Sequence, residues 1–183
     1  MSKKYTVNRD SAKLDQFYTN PKIAQQLIGI SKKYLQNIKL FFEPSAGNGS
    51  FSDILIGTEE VFAIDIDPKK AYIINKNFFD VNEKDLKYSS NNICCIGNPP
   101  FGKNSSLAIK FFNHASKFCD YICFVLPKTF KKRGFHNKLN PYMHLKYEKD
   151  LPKNSFLFEG NPYDVPCVFQ IWEKRAAKRR TIK

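Results

Sequence analysis

The sequence lacks a long apolar run, since no stretch reaches the roughly 18 apolar residues that a membrane-spanning helix requires. Its first residues, Met1 to Tyr5, lead directly into polar sequence without the apolar core of a secretory signal. It also has neither the Gly-x-Gly-x-x-Gly dinucleotide fingerprint nor a phosphate loop ending in Gly-Lys-Ser/Thr. We therefore expect a protein that is not secreted and that is cytoplasmic, or nuclear if it is eukaryotic.

Metal-ligating residues are also few. The chain has five cysteines and three histidines, but no Cys-x-x-Cys pair of the kind found in structural zinc sites. The cysteines are odd in number and mostly lie within apolar runs, which is typical of reduced core residues in a cytosolic protein. We expect no metal. The five positions are Cys94, Cys95, Cys119, Cys123 and Cys167.

Acidic residues are scarce relative to basic ones. Seventeen Asp and Glu stand against 30 Lys and Arg, which leaves a net charge of +13, and two spans, 128–138 and 174–183, contain no acid. Clustered cations near Phe130 and Phe135 favour a polyanion with stackable bases, so we expect a nucleic-acid partner. The basic tail 174–183 is also compatible with a disordered segment or a localisation signal. The expected phosphate contacts are Lys128, Lys131, Lys132 and Arg133.

What is present is a pattern of alternating elements in one domain, 1–183, with 42% hydrophobic residues. Apolar strands that alternate with helices indicate a parallel sheet covered on both faces. The last strand has no helix after it, so we expect it to close the sheet in a hairpin with a strand near 145–151. The predicted strands are 40–42, 61–66, 93–96, 121–126 and 168–172, and the predicted helices are 51–56, 69–75 and 107–118, the last with Ser105 or Ser106 as its N-cap.

The tetrapeptide Asn98-Pro99-Pro100-Phe101 follows the third predicted strand. The Asn98 side-chain carbonyl and the Pro99 backbone carbonyl are two acceptors, and both prolines lack an N–H and have a fixed φ. With the face of Phe101 they can hold a flat ring that carries an exocyclic amine. Acceptors on the amine hydrogens favour the pyramidal form, which releases the nitrogen lone pair for attack. The alternative is a Pro-rich turn with an aromatic cap.

A second motif, Glu43-Pro44-Ser45-Ala46-Gly47-Asn48-Gly49, follows the first predicted strand. Its glycines allow a tight turn and close approach to a ligand, and its acid would repel a pyrophosphate. Asp65 ends the second strand about 20 residues later, where a carboxylate can accept hydrogen bonds from both hydroxyls of a ribose. A ribose with an ammonium group and no phosphate describes S-adenosylmethionine better than NAD. The alternative for the loop alone is an ordinary strand-to-helix turn.

Taken in order, four segments resemble the motifs of class I S-adenosylmethionine-dependent amino-methyltransferases, above all the adenine-N6 DNA and RNA methyltransferases. The resemblance implies a Rossmann-like α/β fold with a mostly parallel seven-stranded sheet, helices on both faces and a C-terminal antiparallel hairpin. It also implies S-adenosylmethionine as cofactor and transfer of its methyl group to an exocyclic amine, with adenine N6 as the first candidate. The segments are Asp15-Gln16-Phe17-Tyr18-Thr19, the glycine loop 43–49, Asp65-Ile66-Asp67-Pro68 and Asn98-Pro99-Pro100-Phe101.

The same resemblance implies roles for single residues. Tyr18 and Thr19 would close over the methionine part of the cofactor, and Asp65 would hold its ribose. Segment 76–80 departs from the family pattern, so either Asn77 or Asp80 would contact the adenine amine, with Asn77 favoured by position. The implied catalytic residues are Asn98, Pro99, Pro100 and Phe101. The implied cofactor-binding residues are Tyr18, Thr19, Glu43, Ser45, Gly47, Asp65, Ile66, Asn77, Phe78 and Asn98.

Several alternatives remain open at this stage. Related enzymes methylate a protein glutamine amide in an Asn-Pro-Pro-Tyr slot, and cytosine N4 or guanine N2 could replace adenine N6. A chain of the same fold could also be a catalytically silent nucleic-acid-binding subunit. Relatives that recognise a DNA sequence usually carry a separate recognition domain, for which we find no room in this chain. Specificity is therefore expected from short loops, another protein subunit or the shape of the nucleic acid, which is RNA or DNA with a single-stranded or flipped base.

Overall fold

The computed structural model describes residues 17–88 and 92–181. Asp15 and Gln16 of the first motif and Lys183 of the basic tail therefore lie outside the described residues. Within the described ranges no helix is long and apolar enough to cross a membrane. Those ranges also hold no group of three or more metal-ligating side chains.

Ten strands and three α-helices make up the regular structure. The strands are β1 (Tyr18–Thr19), β2 (Leu40–Glu43), β3 (Val61–Asp65), β4 (Ile74–Asn75), β5 (Ile93–Gly97), β6 (Tyr121–Pro127), β7 (Met143–Asp150), β8 (Phe156–Phe158), β9 (Asn161–Tyr163) and β10 (Cys167–Lys174). The helices are α1 (Pro21–Lys32), α2 (Ser52–Leu55) and α3 (Ser106–Ala115). These counts refer to the described part of the chain.

Seven strands form one mixed sheet in the order β4-β3-β2-β5-β6-β10-β7. The pairs from β4 to β6 are parallel, whereas β10 runs antiparallel to both β6 and β7. A mixed α/β fold with seven strands in the main sheet is therefore confirmed. The short strands β1, β8 and β9 form a separate antiparallel sheet.

Side chains of the central strands alternate between two apolar cores, as the period of two in a strand requires. On one face Phe41 packs in a buried cluster with Leu27 of α1 and Leu55 of α2. On the other face Phe42 packs in a cluster with Phe112 of α3. Helices therefore cover both faces, and the strands between them are buried on both sides.

The predicted helix over 69–75 is wrong. The Lys69 N–H donates to the carbonyl of Gly47 and the Lys76 N–H donates to that of Asp65, each at 3.1 Å. Ile74 pairs with Ile64 in the strand pair β4–β3. The backbone groups that a helix would use are thus bonded to the glycine loop and to β3, and the segment ends as the edge strand of the sheet.

Helix α1 was not predicted from the sequence, although its start signals are present. Asn20 is the N-cap, and its side chain accepts a hydrogen bond from the Lys22 N–H at 3.0 Å. Pro21 occupies the first turn, where its missing N–H costs nothing. Ala24, Leu27 and Ile28 form its buried stripe.

The strand predicted near 145–151 is present as β7, and it pairs antiparallel with β10. The two strands do not form a tight hairpin, because β8 and β9 lie between them in the chain and β8 pairs with β1. The last strand also does not close the sheet. It lies between β6 and β7, so β7 is the edge strand.

Residues 174–181 of the basic tail lie against the domain. The Arg179 N–H donates to the carbonyl of Pro141 at 2.8 Å, and the Arg175 N–H donates to that of Tyr142 at 2.8 Å. The Arg179 guanidinium lies 5.3 Å from the ring of Trp172. It also donates to four backbone carbonyls, those of His136, Leu139, Asn140 and Met143. This arginine therefore serves an internal contact and is not free for phosphate.

Candidate functional site

A cavity of about 320 Å³ lies at the carboxyl ends of β2, β3 and β5. Ligands of open α/β sheets bind at this edge, in the crevice outside the strand ends. The glycine loop, the end of β3 and the Asn-Pro-Pro-Phe segment all open onto this one space. Its lining residues are Phe17, Tyr18, Thr19, Glu43, Ser45, Ala46, Gly47, Ser50, Phe51, Asp65, Ile66, Asp67, Lys69, Asn98, Pro100 and Leu107.

The glycine loop turns closely under the ring of Tyr18. Gly47 has a φ of +54°, and a Cβ placed there would lie 2.6 Å from Tyr18 Cε1. Only glycine fits a position with both a left-handed backbone and an aromatic ring at that distance. The β1 segment thus packs directly on the loop, which forms one side of the cavity.

Asp65 holds the glycine loop in place. Its Oδ2 accepts a hydrogen bond from the Gly47 N–H, and its Oδ1 accepts one from the Asp67 N–H, both at 2.8 Å. Each carboxylate oxygen can accept a second hydrogen bond, so capacity for a ligand remains. The residue predicted from its place at the end of β3 therefore lines the cavity and also fixes the shape of the loop.

Glu43 is a buried acid at the end of β2, with 2% of its surface exposed. Its Oε2 accepts from the Ser52 N–H at 2.8 Å, which caps α2. Burial raises the pKa of the Glu43 carboxyl to about 8, although hydrogen bonds from Ser52 and Phe51 act to lower it. Gly97 has a φ of +143°, and a Cβ there would lie 3.1 Å from Glu43 Cγ. Glycine at 97 thus gives this carboxyl its space.

The raised pKa of Glu43 gives a testable pH dependence. Between its ordinary value of 4.5 and about 8, the folded state holds a proton that the unfolded state has lost. The stabilisation is therefore complete below the lower value and is lost as the pH rises to the upper one. Replacing Glu43 by Gln, which keeps an acceptor for the Ser52 N–H, should remove this loss. Thermal unfolding of both proteins across this pH window measures it, and parallel stability curves would contradict the assignment.

Two buried side-chain oxygens in the described ranges have no hydrogen-bond partner, namely Thr19 Oγ1 and Asn98 Oδ1. Both residues line the cavity. A buried polar atom without a partner costs about 1–3 kcal/mol, and such atoms in folded proteins call for an explanation. Their common position indicates that a ligand with hydrogen-bonding groups supplies the missing partners.

The Asn-Pro-Pro-Phe segment leads from β5 into α3. The Phe101 carbonyl accepts from the N–H groups of Leu107 and Ala108 at 3.1 Å, which ties the segment to the start of the helix. The Phe101 ring makes an edge contact with Phe17, with centroids 5.6 Å apart. Pro100 lines the cavity, whereas Pro99 is buried outside its lining. Phe101 is therefore not part of the cavity lining itself, but its ring contacts Phe17, which is.

Asn77 and Phe78 are not brought to the cavity. Phe78 is 2% exposed and packs in the core against Phe42 and Phe111, so its ring has no free face for a cofactor. The Asn77 side chain accepts from the Phe79 N–H at 3.0 Å and caps the 3-10 turn Phe78–Asp80. Asp80 is also absent from the cavity lining. The exposed side chain of Ile66, in contrast, lines the cavity directly after Asp65.

The basic span 128–138 follows β6 at the same edge of the sheet. Lys131 donates to Asp150 at 2.6 Å, and Lys128 lies 3.6 Å from the same carboxylate. The span contains no acid in sequence, but β7 brings one to it. Lys132 and Arg133 are exposed and take part in no ion pair within the described residues. Two of the four expected phosphate contacts are therefore already paired.

Ser105 precedes α3, as expected for its N-cap, but its hydroxyl does not cap the helix. It lies 2.9 Å from Thr129 Oγ1, so the loop after Phe101 is joined to the basic span. Sequence analysis also missed some cavity residues. Among them, Leu107 carries no motif signal, Phe17 and Asp67 belong to recognised segments without having been assigned a role, and Lys69 directly follows such a segment. The missed lining residues are Phe17, Ala46, Ser50, Phe51, Asp67, Lys69 and Leu107.

A sheet that is parallel except for β10, with a glycine loop and an acid at adjoining strand ends, is the arrangement expected of a methyltransferase-like domain. The chain belongs to the family described as the EDM2 methyltransferase-like domain, whose model matches residues 61–174, more than half of the sequence. The matched region includes Asp65 and the Asn-Pro-Pro-Phe segment but not the glycine loop. No curated protein matches the sequence.

Solved structures share the fold at low sequence identity. A proposed RNA methyltransferase from Pyrococcus horikoshii has a TM-score of 0.65 and 14% identity, over 89% of this chain and 88% of that one. A proposed methyltransferase, yhhF, from Escherichia coli has a TM-score of 0.56 and 12% identity, over 85% and 88%. The modification subunit of a proposed type I restriction enzyme from Vibrio vulnificus has a TM-score of 0.60 and 12% identity, over 87% of this chain but 44% of that one. The predicted relation to methyltransferases is thereby confirmed at the level of fold and family.

Proposed function

We propose that this protein transfers a methyl group from S-adenosylmethionine to an exocyclic amine of a nucleic-acid base, with adenine N6 as the first candidate. The observation that carries the proposal is Asn98 Oδ1, a buried acceptor without a partner in the same cavity as the glycine loop and Asp65. Burial of this acceptor without a partner costs free energy in the free protein, and a bound amine would supply the missing hydrogen-bond donor.

The cavity residues fit the cofactor. The cavity volume of about 320 Å³ lies within the range of small-molecule sites. Asp65 offers its remaining acceptor capacity to ribose hydroxyls, and the exposed Ile66 beside it offers an apolar surface to the adenine ring. Glu43 also lines the cavity, and an ammonium group bound beside it would favour its ionised form. The unpartnered hydroxyl of Thr19 can donate to a carboxylate.

The chemistry itself asks little of the protein. S-adenosylmethionine would supply a methyl group activated by its sulfonium: the amine nitrogen would form the N–C bond as the S–C bond breaks, a neutral thioether would be the leaving group, and the nitrogen would then lose a proton. Asn98 accepts a hydrogen bond from that amine and orients its lone pair, and Pro100 in the cavity wall stiffens the segment. The chain contributes alignment. No protein nucleophile is required, and the buried Cys94 and Cys95, whose pKa values burial raises well above the ordinary one, are not used.

A nucleic-acid substrate is favoured by charge. The net charge of +13 and the exposed Lys132 and Arg133 at the cavity edge of the sheet suit a phosphate backbone. A base must leave any duplex, or come from a single strand, to enter a cavity of this kind. The names of the similar structures from Pyrococcus horikoshii and Vibrio vulnificus point the same way. An experiment distinguishes RNA, DNA and a protein glutamine as substrates, and it distinguishes an active enzyme from a catalytically silent subunit.

The direct test incubates the purified chain with methyl-labelled S-adenosylmethionine and separate pools of RNA, DNA and protein. Digestion of each product to nucleosides or amino acids identifies the modified group. We expect label in N6-methyladenosine or its deoxy form. Label in glutamine, cytosine or guanine would replace the substrate, and cofactor binding without any transfer would favour the silent subunit.

Replacement of Asp65 by Ala should weaken S-adenosylmethionine binding by about 1–3 kcal/mol, because the ribose hydroxyls and the Gly47 N–H both lose an acceptor. Isothermal titration calorimetry measures the change. Asp164→Ala is the matched control, since Asp164 is exposed and is not among the residues that line the cavity. Equal affinity of the Asp65 and Asp164 variants would show that Asp65 does not hold the ribose.

A further inference from the structure

Three basic segments that are distant in sequence meet on the side of the sheet covered by α3. The Asn113 amide of α3 donates to the Lys138 carbonyl at 3.0 Å, and its Oδ1 accepts from the Asn140 N–H at 2.8 Å. The tail joins them through Arg179, whose guanidinium donates to carbonyls between 136 and 143. Helix α3, the span 131–138 and residues 175–181 therefore form one continuous surface.

Most cations of this surface form no ion pair; the exceptions are Lys131, which pairs with Asp150, and Arg175, which pairs with Glu173. No ion pair within residues 17–88 and 92–181 involves the other cations, and α3 itself contains no acid. Elsewhere some exposed lysines are paired, for example Lys32 with Glu59 and Lys70 with Asp53, whereas others, such as Lys33 and Lys39, form no ion pair within the described residues. We name this surface the α3 basic face. Its members are Lys110, Lys117, Lys132, Arg133, Lys138, Lys178 and Arg180, all exposed.

An open aromatic ring lies among these cations. A shallow cavity of about 290 Å³ beside α3 is lined by Lys110, Lys117 and Phe79, and the side chain of Phe79 is 39% exposed. Lys110 lies within α3 and Lys117 lies in the turn that follows the helix, and both line this cavity. A base stacked on Phe79 would lie beside two ammonium groups, a combination that suits the binding of a single strand.

We propose that the α3 basic face binds single-stranded RNA, as a docking surface apart from the methyl-transfer cavity. The proposal rests on the proposed function for the choice of a nucleic acid. An exposed aromatic ring with flanking cations favours unpaired bases over a closed duplex, and unpaired segments with splayed bases are the usual target of RNA recognition. The face then holds the strand whose target base enters the cavity.

Arg179 is the positioning residue of this face. Its donations to the carbonyls of His136, Leu139 and Asn140 hold the tail on the domain, so that Lys178 and Arg180 lie beside the span 131–138. Lys178 is further placed over the ring of Tyr142, at 5.5 Å from its centroid. Without Arg179 the two tail cations would remain on the chain but would lose their fixed position.

The first test measures binding of a labelled single-stranded RNA by fluorescence anisotropy at several salt concentrations, without cofactor. Lys110→Glu/Lys117→Glu should weaken binding at least ten-fold. It should also make the slope of log affinity against log salt less steep, by the amount expected from the loss of about two phosphate contacts. The matched control is Lys33→Glu/Lys39→Glu, which makes the same change in net charge at exposed positions outside the face. Equal weakening by the two double variants would overturn the proposal, as would tighter binding of a blunt duplex DNA than of the RNA.

The second test compares Arg179→Ala with Arg180→Ala, each of which removes one positive charge. We expect the Arg179 variant to lose several-fold more RNA affinity, and equal losses would refute its positioning role. The RNA-binding measurements in both tests do not depend on methyl transfer. If the wild-type protein binds RNA through the face but methylates nothing, the proposed function is refuted and the proposed RNA-binding face stands. If Lys110→Glu/Lys117→Glu methylates with full activity at limiting RNA, only the proposed face is refuted.

Discussion

Replacement of Asn98 by Ala should lower the rate of methyl transfer at least 100-fold while S-adenosylmethionine affinity changes only a few-fold. Asn98 Oδ1 is the acceptor that we assign to the substrate amine, and loss of one such preorganised group typically costs this much in rate. Single-turnover methylation assays and calorimetric titration of the cofactor separate the two effects. A variant that turns over within ten-fold of wild type would remove the amine-binding role.

The same variant should not be less stable than wild type. A buried oxygen without a partner already costs the folded protein desolvation energy, so its removal is expected to leave the melting temperature unchanged or to raise it. Asn98→Asp is the informative companion, because it keeps an oxygen acceptor in the same place and should retain more activity than the Ala variant. A large loss of stability in Asn98→Ala would mean that the side chain serves the fold instead.

Sequence reasoning located Asp65 and Asn98 because both stand where an apolar strand ends, and strand ends of a parallel sheet meet at one edge. It could not locate Leu107, which lines the cavity through the path of the chain after Phe101 and carries no motif signal. It placed Phe78 at the cofactor, whereas the ring is a core residue, since a sequence pattern does not show which of two adjacent phenylalanines turns inward.

Long-range pairing explains the remaining differences. The span 128–138 contains no acid, but the folded sheet brings Asp150 of β7 next to Lys131, where the two side chains form an ion pair. In the same way, β4 replaces the expected helix because Lys76 and Lys69 donate to residues of β3 and the glycine loop. Local propensity decides such short segments only when no partner elsewhere in the fold takes up their backbone groups.

Replacement of Gly47 by Ala should abolish measurable cofactor binding, the second large effect that we expect. The new Cβ would meet the Tyr18 ring at 2.6 Å, and the residue would hold a φ of +54°, which costs alanine about 1 kcal/mol. Either the ring or the loop must move, and the loop carries the N–H that Asp65 fixes. Calorimetry with S-adenosylmethionine measures the loss, and Gly57→Ala is the control, since a Cβ there meets nothing within 4 Å.

A double variant tests the steric cause. Tyr18→Ala removes the ring that the new Cβ would meet, so adding it to Gly47→Ala should recover part of the cofactor affinity if the clash is the main effect. If the double variant binds no better than Gly47→Ala alone, the positive φ and the displaced loop account for the loss, or Tyr18 itself contacts the cofactor. Tyr18→Ala alone distinguishes these, because it weakens binding only in the second case. Unchanged affinity in Gly47→Ala would place the cofactor elsewhere and would contradict the assignment of the cavity.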